Sequence, residues 1–97
     1  MFLAKAVYLS ASGYVVQNGC RLMAFEIMSS SGNEGSVTFA ENGGTSGTTI
    51  WKSEAMIGAD TNARYVDFSA FGGIEVKADL YATLSNCTVS VTYTNSP

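Results

Sequence analysis

Histidine is absent from this sequence, and that removes most of the familiar routes by which a small protein does chemistry. The usual general base near neutral pH and the commonest zinc ligand are both missing. A Ser-His-Asp or Cys-His arrangement is excluded with them. The two cysteines, Cys20 and Cys87, have no CxxC spacing, so neither a redox nor a zinc motif is indicated. For a protein that assembles in a cytoplasm, two reduced, buried thiols are the favoured reading, with a single disulfide as the alternative. No GxxxxGK[ST] or strand-GxGxxG-helix pattern occurs, and Gly43, Gly44 and Gly47 read as turn glycines.

Carboxylates remain. Asp60, Asn62, Asp67, Glu75 and Asp79 could supply loop oxygens to calcium, but their spacing matches no known loop motif. Acidic and amide residues at turns more often serve turn hydrogen bonds, and that is the reading adopted. A two-carboxylate glycosidase pair is weaker still in a domain this small. No catalytic residue, metal or cofactor is assigned, and the chain is expected not to be an enzyme.

Aromatic side chains are the last candidates. Trp51 could centre a sugar-stacking or protein-binding platform, with Tyr8, Tyr14, Tyr65, Tyr81 and Tyr93 as its partners. The plainer reading places Trp51 and most of the tyrosines in the core or on a sheet face. Tyr81 lies opposite the Leu80/Ala82/Leu84 face and is therefore expected to point outward.

The elements that must carry these residues follow from an alternation with period two. In Cys87 to Thr94 the odd positions are Cys, Val, Val and Tyr and the even ones Thr, Ser, Thr and Thr. The same pattern recurs in Lys5–Ser12, Ser36–Phe39, Tyr65–Phe68, Ile74–Lys77 and Leu80–Ser85, and Thr48–Lys52 reads as a further strand. Arg21–Met28 is apolar on both faces, as in a central strand covered on both sides or a short buried helix, and the flanking Gly19 and Ser29–Gly32 favour the strand. Turn signals separate the runs: Asn18-Gly19, Ser31–Gly35, Asn42-Gly43-Gly44, Gly58–Asn62, Phe71-Gly72-Gly73 and Ser85-Asn86. Asn42-Gly43-Gly44 is the clearest hairpin, and Ser53–Ala59 is the one stretch that could hold a helical turn. The expectation is an all-β, antiparallel sandwich or jelly-roll-like domain of seven to eight short strands. It spans residues 1–97, with 1–5 as a flexible N-terminal arm.

Ninety-seven residues suffice for one core, burying roughly 60–65% of the unfolded surface. Charged residues are 13% of the chain, against about 25% in typical domains. Ser, Thr, Asn and Gly take their place, and such a surface loses little desolvation energy when another protein covers it. The five cations, Lys5, Arg21, Lys52, Arg64 and Lys77, are scattered in a chain of net charge −3, which argues against nucleic-acid binding. The Asn86-Cys87-Thr88 sequon would matter only in a secretory pathway. Lys5 interrupts the apolar start, and no run approaches a membrane span, so a soluble protein without an export address is expected.

Several stretches together carry a resemblance. A Gly19-Cys20-Arg21-Leu22 entry leads into a long apolar strand. A Gly/Ser-rich hairpin follows, from Gly35-Ser36-Val37-Thr38-Phe39 to Thr48-Thr49-Ile50-Trp51. Then come Tyr65-Val66-Asp67-Phe68, the stretch Gly73–Leu84 containing Gly-Ile-x-Val and Leu-Tyr-Ala-x-Leu, and a closing Val89–Tyr93 strand. This order resembles small β-sandwich virion structural proteins of tailed bacteriophages, of the capsid decoration or cement type, and covers most of the chain. Such proteins often carry Gly where Asp79 stands here.

The resemblance implies a virion component, assembled in the host cytoplasm, that binds the major capsid protein and copies of itself. It implies a homo-oligomer on the particle, without nucleic-acid or membrane partners. Trp51, Tyr81, Phe2 and Leu3 are the candidate partner-binding residues, the last two on an arm that could add a strand to a neighbour. The alternative is a tail, fibre or baseplate component binding a host glycan or receptor.

Overall fold

A computed structural model describes residues 4–29, 34–55 and 63–95. Nine strands are described: β1 (Ala4–Leu9), β2 (Gly13–Val16), β3 (Cys20–Ser29), β4 (Gly35–Glu41), β5 (Thr48–Ala55), β6 (Ala63–Asp67), β7 (Ile74–Val76), β8 (Leu80–Ser85) and β9 (Cys87–Asn95). Short 3₁₀ turns occupy Gly44–Ser46 and Ser69–Phe71. The protein is all-β, as the alternation requires. The five-stranded sheet runs β1-β9-β3-β6, with β7 also on β3, and the four-stranded sheet runs β2-β8-β4-β5. Every pairing is antiparallel.

The core lies between the sheets. Cys20, Leu22, Phe25 and Ile27 of β3 and Val89 and Val91 of β9 face Val37 and Phe39 of β4 and Leu80 and Ala82 of β8, all essentially inaccessible to water. Phe25 and Phe39 meet across the gap with ring centroids 4.9 Å apart. Each of the Val, Leu, Ile and Phe side chains among them contributes about 1.5–3 kcal/mol on burial.

Three details depart from the sequence reading, and the first of them raises the strand count to nine. First, the run from Lys5 does not continue to Ser12. It ends at Leu9, bends through Ser10–Ser12, and Gly13–Val16 starts a separate strand in the other sheet. Ser12 Oγ accepts the Leu84 N–H at 2.8 Å, which anchors that crossing.

Second, β3 is central but is not covered on both sides. A bulge between Leu22 and Ala24 lets Met23 and Ala24 both lie outside the core-facing series, so the apolar run does not reflect two buried faces. Met28 on the outer side is 49% exposed.

Third, Ser53–Ala55 continue β5 rather than forming a helical turn, and the rest of that stretch lies outside the described residues.

β6 and β7 lie in line along one edge of β3, opposite Ala24–Met28 and Cys20–Leu22 respectively. Residues 68–73 leave the sheet between them. This excursion is tied at its base by Phe68 N–H to Met23 O (2.7 Å) and closed by Gly73 N–H to Phe68 O (3.0 Å). At the expected hairpin, Asn42, Gly43 and Gly44 all take positive φ, and Asp79 Oδ1 accepts the Asn42 N–H at 3.0 Å. Glu41 Oε1 accepts the Lys77 N–H at 2.9 Å, so two carboxylates fasten this end.

Of the N-terminal arm, Ala4 and Lys5 belong to β1, opposite Thr94 and Tyr93. Phe2 and Leu3 lie outside the described residues.

Candidate functional site

The residues singled out for contact do not form one platform. Trp51 sits on the core-facing side of β5, opposite Phe39, where the edge of the four-stranded sheet meets the excursion. Its ring stands edge-on to Phe68 at 4.8 Å, Phe68 lies 6.1 Å from Phe25, and Phe71 lies 6.2 Å beyond Phe68. An aromatic chain thus runs from the buried Phe39 outward to Phe71, which is 72% exposed. Trp51 keeps 38% exposure and borders a shallow groove of about 330 Å³ with Lys52, Ser53, Glu54 and Arg64.

Tyr81 does point away from the core, as expected, but is half-buried because Tyr14 packs edge-on against it at 5.0 Å. It is on the other face of its sheet from Trp51. Tyr93 is buried among core residues.

Both outer faces can be read from the register. On the five-stranded sheet, successive rows across β1, β9, β3 and the β6/β7 edge are Tyr8-Ser90-Glu26-Tyr65, Ala6-Thr92-Ala24-Asp67 and Ala4-Thr94-Arg21-Glu75. Thr88 and Met28 form a further row beside the first. On the four-stranded sheet the outward residues include Ser36, Thr38 and Ala40 of β4, Tyr81, Thr83 and Ser85 of β8, and Thr49, Lys52 and Glu54 of β5. Hydroxyls, alanines and tyrosines make up most of both faces, with Arg21, Glu26, Asp67 and Glu75 as the charges on the first and Lys52 and Glu54 on the second. Tyr8 and Tyr65, exposed by 65% and 62%, were weighed in the sequence only as partners of Trp51. Phe71 carried no periodic signal, because it sits in the excursion.

The larger concavity, about 670 Å³, opens at the end of the sandwich among Tyr8, Ser12, Met28, Leu84, Asn86 and Cys87. Among its described lining residues there is no carboxylate or cation, so these offer no acid/base pair. Asp67 accepts the Ser69 N–H at 2.8 Å. Its carboxyl is held below the ordinary value by the Ser69 side chain first and by that backbone bond second. Asp67 and Asp79 thus serve turns, while Asp60 and Asn62 lie outside the described residues. Among the described residues, no three His, Cys, Asp or Glu side chains converge as a metal site.

Both cysteines are unbridged. Cys20 opens β3 and Cys87 pairs with Ser29 at the far end of that strand, which places them ~30 Å apart. The Cys87 thiol donates to Ser36 O at 3.2 Å, and burial pushes the Cys20 thiol up to about 11.

Among the described residues, no helix is long and apolar enough to cross a membrane. No protein-family model, no curated protein and no solved structure matches the chain.

Proposed function

We propose that this chain is a non-enzymatic contact module, and specifically a capsid decoration protein that sits in many copies on the major capsid lattice of a tailed bacteriophage. The observation that carries the contact reading is the contrast between its faces and its edges. Both faces are broad and rich in hydroxyl and tyrosine side chains, a chemistry suited to being covered by another protein.

The sheet edges, by contrast, discourage strand addition. β1 carries Lys5 in register with the core-facing Tyr93. β2 is four residues long with a register shift. β5 is bulged at Ile50 and bears Lys52 and Glu54. The β6/β7 edge is interrupted by the excursion. Contact through faces is therefore favoured over contact by an added strand. The viral assignment rests on the sequence resemblance. Modest interfaces repeated over a lattice would supply stability by multivalency.

Quantifying the chain in purified particles tests this. A copy number that tracks the shell subunits supports decoration, and one that matches a portal or tail ring overturns it.

One observation favours a second reading, a tail, fibre or baseplate component that binds a host glycan. The Trp51 groove joins an accessible indole to Lys52, Glu54 and Arg64, a combination suited to stacking on a sugar and hydrogen-bonding its hydroxyls. A glycan array probed with wild type and Trp51→Ala decides it: binding lost in the variant supports the reading, and binding by neither protein removes it.

A further inference from the structure

The outer face of the five-stranded sheet is the better defined of the two broad faces, and its chemistry points to a particular kind of partner. Tyr8 and Tyr65 stand in one row, three strand spacings apart, a span of ~14 Å. Between them lie Ser90 and Glu26, and the neighbouring row supplies the small side chains Thr92 and Ala24. The result is a low floor between two exposed phenol rings, bounded on its other side by Thr88 and the exposed Met28. Glu26 is the charged group within that floor. It is exposed and makes no hydrogen bond or ion pair among the described residues.

We infer that this face docks a protein ridge presenting an arginine or lysine, whose cation meets Glu26 between Tyr8 and Tyr65. A guanidinium or ammonium satisfies the carboxylate beside the Tyr65 ring, one strand spacing away, and its apolar stem lies over Ser90 and Thr92 towards Tyr8. The charge of the face selects against the other occupants. Its rows carry Glu26, Asp67 and Glu75 against Arg21 alone, which repels a phosphate backbone. A two-fold pairing of the face with itself would bring two Glu26 carboxylates towards one another near its centre. The two tyrosines are too far apart to sandwich one sugar ring.

The inference rests on the contact-module reading, and the two fail separately. Particle copy number judges that reading; the titration below judges the face. The full chain, labelled with nitrogen-15, is titrated with N-acetyl-arginine amide, N-acetyl-norleucine amide and methyl glucoside, and amide shifts are followed by NMR. The expected result is shifts centred on Glu26, Ser90 and Tyr65 with the arginine probe, weaker ones with norleucine, and about threefold weaker arginine binding in Glu26→Gln. Glu34→Gln, at an exposed carboxylate away from this face, should bind as wild type does.

Equal shifts around every exposed carboxylate, or unchanged binding in Glu26→Gln, would overturn the inference. Larger effects from methyl glucoside at the same amides would assign the face to carbohydrate instead. Concentration-dependent dimerisation in sedimentation that Tyr65→Ser abolishes would assign it to a second copy and equally overturn it.

Discussion

Trp51 stands edge-on to Phe68, with ring centroids 4.8 Å apart and planes inclined by 76°. This contact joins the free edge of one sheet to the interrupted edge of the other. Phe68 is 2% exposed and Trp51 38%, so their truncations should differ. Phe68→Ala is expected to cost about 3–4 kcal/mol, as a buried aromatic replaced by a cavity. Trp51→Ala should cost about 1–2 kcal/mol, from the lost ring contact and partial burial. Urea denaturation of both variants checks the order. A Trp51→Ala protein as stable as wild type would mean that the indole has no structural role.

The excursion between β6 and β7 makes a second comparison possible within two adjacent glycines. Gly72 and Gly73 have φ of 81° and 87°. A Cβ on Gly72 would meet nothing within 4 Å, whereas one on Gly73 would fall 2.6 Å from Met23 Sδ and 3.0 Å from Leu22 O. Gly72→Ala should therefore cost about 1 kcal/mol, from backbone strain alone. Gly73→Ala should cost about 2–3 kcal/mol, because the excursion must also lift off β3. Thermal melts of the pair, read against wild type, measure the difference.

Cys20 gives the stability a dependence on alkaline pH. Burial raises its thiol from 9.0 to about 11 in the folded protein. The neutral form is favoured by folding, so its contribution is complete below pH 9 and is lost as pH rises towards 11. The loss in that window cannot exceed about 1.4 kcal/mol per pH unit. Unfolding free energies measured across it for wild type and Cys20→Ala should converge as pH rises. Curves that stay parallel would contradict the assignment. Because Cys87 is only half-buried, a thiol reagent should modify it first in the native state.

Asp67 behaves oppositely at the acid end. Its carboxyl sits below the ordinary 3.8 because it accepts hydrogen bonds from the Ser69 side chain and N–H. A depressed carboxyl stabilises the fold above its unfolded value and ceases to do so as pH falls through its folded one. Ser69→Ala should move the Asp67 titration, followed by NMR, back towards 3.8. An unmoved titration would assign the depression to the backbone bond alone.

How much of this was legible in the sequence depended on whether a local period survived into the fold. β9 was, because Cys87 to Thr94 alternates without interruption and its Val89 and Val91 are indeed buried. The Asn42-Gly43-Gly44 hairpin was legible through its backbone demands. β2 was not, since four residues around Val15 are too few to show a period, and nothing in Ser10–Ser12 announces a crossing between sheets. Met23 misled, because a bulge adds a residue and makes a one-sided strand look two-sided. At the candidate site, Trp51 and Tyr81 were identifiable as aromatic residues but not as neighbours of Phe68 and Tyr14, since those pairings cross between distant segments. The Tyr8-Ser90-Glu26-Tyr65 row draws on four strands and exists only once the register is set.

The place of β9 has a consequence for how the chain comes off the ribosome. It pairs with β1 on one side and with β3 on the other, so two strands made early must wait for one made after the other eight. The four-stranded sheet is complete once β8 emerges, whereas the other lacks its second member until Cys87–Asn95 is free of the exit tunnel. Vectorial synthesis therefore leaves β3 unpaired along its β9 side while the five intervening strands are made. Trimming a few residues from the end of β9 should accordingly lower soluble yield more than trimming the same number from the start of β1.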